Sequence, residues 1–199
     1  MKKLIVLSAL AAFAAQGAFA EAVPGQDAPA ATFTCTGGKS HAVADFKGKY
    51  VVLEWTNPGC PFVKKHYGSG NMQKLQKELT GQGVVWLTVN SAAPGKAGHM
   101  TAAKWDVLAK EQGSAASARV VDESGEVGRA FGAKTTPHSF VVGPDGKVLY
   151  TGALDDKPTT DVADLAGAVN YVKQAIEESK AGRPVSTPRT PPYGCGVKY

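Results

Sequence analysis

The sequence predicts an α/β fold: a mixed central sheet with helices on both faces and a β-hairpin extension at its N-terminal end. Three observations predict it. Two continuous β-rich runs, residues 50–55 and 84–89, each lead into helix-period sequence, as parallel strands with helical crossovers do. The Gly143-Pro144-Asp145-Gly146 turn then joins two further strands antiparallel. An amphipathic helix closes the pattern over residues 164–180.

Residues 21–30 read as an exposed lead-in. Residues 32–36 alternate, with Phe33 and Cys35 on one face, and Gly37-Gly38 turns them into a hairpin. The buried strand 50–55 is broken by Asn57-Pro58-Gly59. A helix opens near Cys60-Pro61, since proline suits a first helical turn, and runs toward Leu79 with a kink or break at Gly68-Ser69-Gly70. After the strand 84–89 come a loop (91–98), a helix (101–112) with Thr101 as its cap, a short strand (119–121) and a short helix (127–131). Thr135-Thr136-Pro137 precedes the hairpin of strands 139–142 and 148–151. The helix 164–180 aligns Leu165, Val169, Val172 and Ile176 on one face. Four prolines, Pro184, Pro188, Pro191 and Pro192, make 182–199 an extended tail lying on the domain.

Residues 1–20 have the pattern of a bacterial Sec signal peptide: Lys2 and Lys3, an apolar stretch, then Ala18-Phe19-Ala20. The competing reading is an uncleaved N-terminal anchor. Cleavage predicts a periplasmic or secreted chain with a domain at 21–181 and the tail at 182–199. Removing Lys2 and Lys3 from 22 Lys/Arg, against 17 Asp/Glu, leaves a net charge of about +3. There is no basic run with interleaved aromatics, which excludes nucleic acid as an expected partner. No later apolar stretch would span a bilayer. Three cysteines, Cys35, Cys60 and Cys195, are an odd count, so in an oxidising compartment at least one thiol is free or exchangeable.

Cys60 stands where a buried strand turns into a helix. Helix-terminal N–H groups there favour a thiolate, the species that attacks disulfides and peroxides. Lys64 and Lys65 follow within one turn and would add positive potential. The plain alternative is a small core cysteine. Glu54, on a buried strand, would have a raised pKa and could exchange protons with the thiol, or else pair with a lysine. His138 would favour thiolate if it sat near Cys60. Trp55 and Phe62 read as packing residues.

Residues 51–67 (VVLEWTNPGCPFVKKHY) and 135–152 (TTPHSFVVGPDGKVLYTG) resemble the thioredoxin-fold redoxins, the group that includes alkyl hydroperoxide reductase/thiol-specific antioxidant (peroxiredoxin-like) proteins. The match in order and spacing runs from about Pro29 to Lys180. The resemblance implies a thioredoxin-like fold with Cys60 as the reactive thiol and Glu54 as the buried acid six residues before it. It also implies that Thr136-Pro137 faces the cysteine, usually in the cis form, with the Thr136 backbone pairing to an incoming substrate chain. Two departures stand out. Val63 occupies the position of the second cysteine of C-x-x-C, and Leu53 and Asn57 replace the Pro and Thr of the peroxiredoxin P-x-x-x-T-x-x-C pattern. Arg119 and Arg129 are the candidates for an activating arginine.

C-terminal resolving cysteines occur among peroxiredoxins, so the resemblance implies a Cys60–Cys195 pair. The alternative is a structural Cys35–Cys195 bridge, which would leave Cys60 dependent on an outside thiol. The function implied is a thiol oxidoreductase/antioxidant that needs no cofactor. Its expected partners are a thiol/disulfide protein or a small peroxide, and an external thiol reductant. Two rivals remain: a copper metallochaperone on the same fold, for which Lys64 replaces one thiolate and Cys60 with His138 would have to serve, and a non-catalytic interaction protein.

Overall fold

The structure, a computed structural model, describes residues 21–199; the expected signal peptide lies outside the described residues. In chain order the elements are β1 (Thr32–Thr34), β2 (Ser40–Ala42), β3 (Val51–Trp55), α1 (Pro61–Gly68), α2 (Asn71–Gly81), β4 (Val85–Asn90), α3 (Ala102–Glu111), β5 (Ala118–Val121), α4 (Glu126–Phe131), β6 (Thr135–Thr136), β7 (His138–Val142), β8 (Val148–Gly152), α5 (Tyr171–Lys180) and β9 (Cys195–Gly196). The five-stranded sheet runs β5-β4-β3-β7-β8. β3 and β5 lie parallel to β4, and β7 pairs antiparallel with both β3 and β8. This is the expected mixed sheet, and β1–β2 is the expected hairpin.

Alternation along β3 divides the core in two. Val51, Leu53 and Trp55 face one side, packing with Phe33, α4 residues Val127 and Phe131, and Phe140. Val52 and Glu54 face the other, where Trp86, Tyr150, Leu79, Val172 and Ile176 pack beneath α1, α2 and α5. Helices therefore cover both faces. Among the described residues no helix is long and apolar enough to cross a membrane.

The break expected at Gly68-Ser69-Gly70 is present: α1 ends at Gly68, and Gly70 enters the left-handed region (φ +77°) and restarts the chain as α2 at Asn71. One helix expectation changes. The single helix 164–180 is a 3₁₀ turn over Val162–Leu165 followed, after an interruption, by α5. Gly167 (φ +81°) interrupts it, and Asn170 caps α5 by accepting from the Lys173 N–H at 2.9 Å. Val172, Ala175 and Ile176 form its buried face, whereas Val169 is exposed.

The tail is more structured than an extended segment lying on the domain. It pairs with β8 through Thr151 N–H to Pro188 O and Thr190 N–H to Thr151 O, both 3.1 Å. It then crosses the end of the sheet, where β9 pairs antiparallel with β6. Tyr199 finishes it, donating to Ala133 O at 2.8 Å over Gly125 and Gly128.

Candidate active site

Trp55 ends β3, and the next four residues build the turn that delivers Cys60. The Asn57 carboxamide oxygen accepts from Gly59 N–H at 2.8 Å, and its carbonyl accepts from Cys60 N–H at 3.0 Å. Cys60 is the N-cap of α1, with Pro61 in the first turn as expected. Its side chain is only 2% exposed. The thiol donates to the carbonyl oxygen of Thr136 at 3.0 Å. The Thr136–Pro137 peptide bond is cis.

Cys195 completes the site. In the β6–β9 ladder Thr136 stands opposite Cys195 and Thr135 opposite Gly196. The Thr136 hydroxyl donates to Cys195 O at 3.4 Å. The ionisation of the two thiols is linked. Burial opposes ionisation of Cys60, but the Cys195 thiol, the Val63 and Cys195 N–H groups and the Thr136 hydroxyl together hold its pKa below the usual thiol value. Cys195 is pushed up to about 11 by burial, by its hydrogen bond to Cys60 and by the Cys60 charge. Of the two thiols, Cys60 is the more readily ionised and Cys195 holds its proton more tightly.

The third cysteine is elsewhere. Cys35 bridges to Val120 of β5, at the edge of the sheet, and packs with the opposite core, where burial raises its pKa. All three cysteines are free thiols. The structure brings Cys195 to Cys60 and not to Cys35.

Glu54 faces the Cys60 side of the sheet, but its hydrogen bonds go to other groups. Tyr67 donates at 3.0 and 3.2 Å and Trp86 Nε1 at 3.1 Å. Burial lifts its pKa to about 8 against these bonds. Among the described residues no lysine pairs with it.

Other expected neighbours of Cys60 are not there. Lys65 turns away: its ammonium is buried, donates to Lys157 O at 2.7 Å and lies 4.0 Å from Asp155. Arg119 binds Asp106 at 2.7 Å, and Arg129 lies over the Tyr199 ring. His138 points to the opposite core, its ring against Phe140. Its Nδ1 accepts from Lys134 N–H at 3.2 Å, and burial, with Lys134 and Arg189, drives its pKa down to about 3. It is neutral, and the Cys60/His138 copper pair is not assembled. Trp55 packs against Phe131 and Phe140 as expected, while Phe62 meets the ring of Tyr193.

That tyrosine belongs to a buried polar cluster that the sequence reading missed. Tyr193 donates its hydroxyl to Asp155 and lies 3.3 Å from His66 Nε2. Asn71 donates to His66 Nδ1 at 2.9 Å, which leaves the His66 proton on Nε2, toward Tyr193. Lys65 sits over the Tyr193 ring at 5.4 Å. Two residues before Cys195, this cluster clamps the tail to α1. A lysine and a histidine inside a short helix have no periodicity that marks them as buried, so no sequence signal pointed to them.

The fold has solved counterparts. An uncharacterized conserved protein from Geobacillus kaustophilus is 25% identical, with TM-score 0.76, over 89% of this chain and 92% of its own. A hypothetical protein from Sinorhizobium meliloti 1021 is 23% identical, with TM-score 0.73, over 90% and 96%. The thioredoxin domain of a thiol-disulfide oxidoreductase from Bacteroides vulgatus is 22% identical, with TM-score 0.52, over 72% and 95%. No curated protein matches the chain in sequence. The site and the family match below support a thiol oxidoreductase as the general kind of activity. A model of the Redoxin family matches residues 23–169, which hold β3, Cys60 and the Thr136-Pro137 turn, and the chain belongs to the Redoxin family.

Proposed function

We propose that this protein is a thiol oxidoreductase acting outside the cytoplasm, with Cys60 as nucleophile and Cys195 as resolving thiol. The observation that supports this reading is the meeting of the two cysteines at Thr136, whose carbonyl accepts from the Cys60 thiol at 3.0 Å and which stands opposite Cys195 in the β6–β9 ladder. Donors that include Cys195 itself lower the Cys60 pKa, so that Cys60 ionises before Cys195.

With a hydroperoxide, the Cys60 thiolate attacks the distal oxygen and the O–O bond breaks. The alkoxide takes a proton and leaves as the alcohol, and Cys60 becomes a sulfenic acid. With a disulfide, Cys60 bonds to one sulfur and the other leaves as a thiolate. Either step consumes the Cys60 charge. The hydrogen bond and repulsion that raised the Cys195 pKa then vanish, and Cys195 ionises more easily. It attacks the Cys60 sulfur, forms the Cys60–Cys195 disulfide and expels water or the second thiolate. An external dithiol reduces that disulfide and resets the enzyme. No bound cofactor takes part. Thr136 and Pro137 act as positioning residues, because the Thr136 carbonyl and hydroxyl hold the two cysteines at one spot. The extracytoplasmic location in this reading rests on the signal-peptide pattern of residues 1–20.

One equivalent of hydrogen peroxide, followed by alkylation and non-reducing peptide mapping, tests the proposal. A Cys60–Cys195 peptide, lost in Cys60→Ser together with all turnover, is the expected result. A Cys35–Cys195 peptide, or undiminished turnover in Cys60→Ser, would overturn it.

A further inference from the structure

β6 is an edge of two residues with Cys60 beside it. An extended peptide that paired there would carry a cysteine side chain to the Cys60 sulfur, with main-chain hydrogen bonds supplying affinity. In this protein the position is taken. Cys195–Gly196 pairs with Thr135–Thr136, and Cys195 stands where the reacting residue of such a peptide would stand.

The tail is fitted to the edge. Gly194 has φ +123°, and a Cβ there would lie 2.1 Å from the Thr136 carbonyl oxygen and 3.3 Å from the Pro137 ring. Only glycine lets the chain come that close. On one side Tyr193 is clamped by Asp155 and His66. On the other, Val197 N–H donates to Lys134 O at 3.1 Å and Ala93 N–H donates to Lys198 O at 2.9 Å. The edge is therefore closed from both ends, and Cys60 lies 2% exposed beneath it.

We propose that the segment Tyr193–Val197 is a built-in pseudo-substrate strand that sets the specificity of Cys60. With the strand seated, Cys60 accepts small oxidants, hydroperoxides or low-molecular-weight disulfides, which need only a local shift of the Cys195 side chain. A polypeptide disulfide must displace the whole strand and is excluded. The inference rests on Cys60 being the nucleophile, and it adds the substrate class.

The test follows thionitrobenzoate release in single turnover from two reagents with the same leaving group. One is a small symmetric aromatic disulfide, the other an extended peptide whose central cysteine carries the thionitrobenzoate. In the productive step Cys60 bonds to the distal sulfur, the S–S bond breaks, and its electron pair leaves with thionitrobenzoate. Full-length Cys195→Ser keeps the strand without a resolving thiol. Adding Gly194→Val forces the strand off the edge, and Tyr193→Phe in the same background loosens it without adding bulk. Opening the edge is expected to raise the peptide-to-small-reagent rate ratio by about tenfold in the valine variant, and by less in the phenylalanine one, as the open population grows. The ratio cancels any general gain in access, and circular dichroism verifies the fold of each variant. An unchanged ratio in both variants would overturn the inference. Inertness of Cys60 toward both reagents in every protein would instead overturn the assignment of the nucleophile.

Discussion

The Cys60 thiol and the Thr136 carbonyl oxygen lie 3.0 Å apart, and Cys195 faces Thr136 across the β6–β9 ladder. One peptide unit thus positions both sulfurs. A thiol donor beside a thiolate lowers its pKa, because the hydrogen bond favours the charged form. Replacing Cys195 by alanine removes that donor. The midpoint of the pH profile for Cys60 alkylation by iodoacetamide is expected to move up, with alkylation at neutral pH about tenfold slower, the cost of losing one charge-assisted hydrogen bond. A midpoint that stays or falls would show that the Cys195 thiol does not hold the charge.

Cys35 gives the complementary result. It packs with the core on the far face of the sheet and bridges to Val120. Distant, unshared sites act independently, so Cys35→Ser is expected to leave the rate of peroxide consumption within about twofold of the parent. Cys35 should also remain alkylatable, once the protein is unfolded, after one equivalent of oxidant. Its disappearance into a disulfide under those conditions would contradict the arrangement of thiols described above.

Asp155 is the counter-ion of a buried cluster, with Lys65 at 4.0 Å and both side chains almost fully inaccessible. It also accepts from the Tyr193 hydroxyl. Asp155→Ala takes the nearest carboxylate from a buried ammonium and leaves a phenol without its acceptor. The expected loss of stability is about 3–5 kcal/mol by urea unfolding, as for other broken buried pairs. Lys65→Met in the same protein removes the stranded charge and should restore part of that loss. No recovery in the double variant would mean that the cost comes from the tail contacts and not from the buried charge.

The fold was legible because its signals are local and periodic. Residues 51–55 are a solid apolar strand interrupted only by Glu54, Pro61 marks a helix start, and Gly143-Pro144-Asp145-Gly146 marks a hairpin. Cys60 was legible for the same reason, standing at the junction of two such signals. The choice between Cys60 and Cys35 as the neighbour of Cys195 was not legible. It depends on a two-residue ladder between segments nearly sixty positions apart, which leaves no pattern in either. The helix expected over 164–180 failed on a short-range detail, since Asn170 caps better than it continues a helix. His138 failed on direction: the period of two along β7 places it with Phe140 and Val142, on the face opposite Cys60.

Buried ionisable groups on the two faces set opposite pH limits on stability. The Glu54 carboxyl is raised by burial to about 8, from 4.5 in an exposed chain. Between those values the folded protein keeps a proton that the unfolded chain releases, so stability falls as pH rises toward 8 and levels off above it. The imidazoles act the other way. Burial lowers His138 to about 3 and His66 to about 4, from 6.5. Below pH 6.5 the unfolded chain takes up protons that the folded protein refuses, so stability falls with acidification down through those lower values. Each group contributes a slope of about 1.4 kcal/mol per pH unit within its own window. From 4.5 to 6.5 two imidazoles oppose one carboxyl, so these three groups place the stability maximum near 6.5. Urea unfolding from pH 5 to 9 checks the argument, with Glu54→Gln as the diagnostic variant. It should abolish the decline between 6.5 and 8 and steepen the acid limb below 6.5, where the carboxyl no longer opposes the two imidazoles. Parallel declines in the parent and Glu54→Gln would show that Glu54 is not the group that titrates.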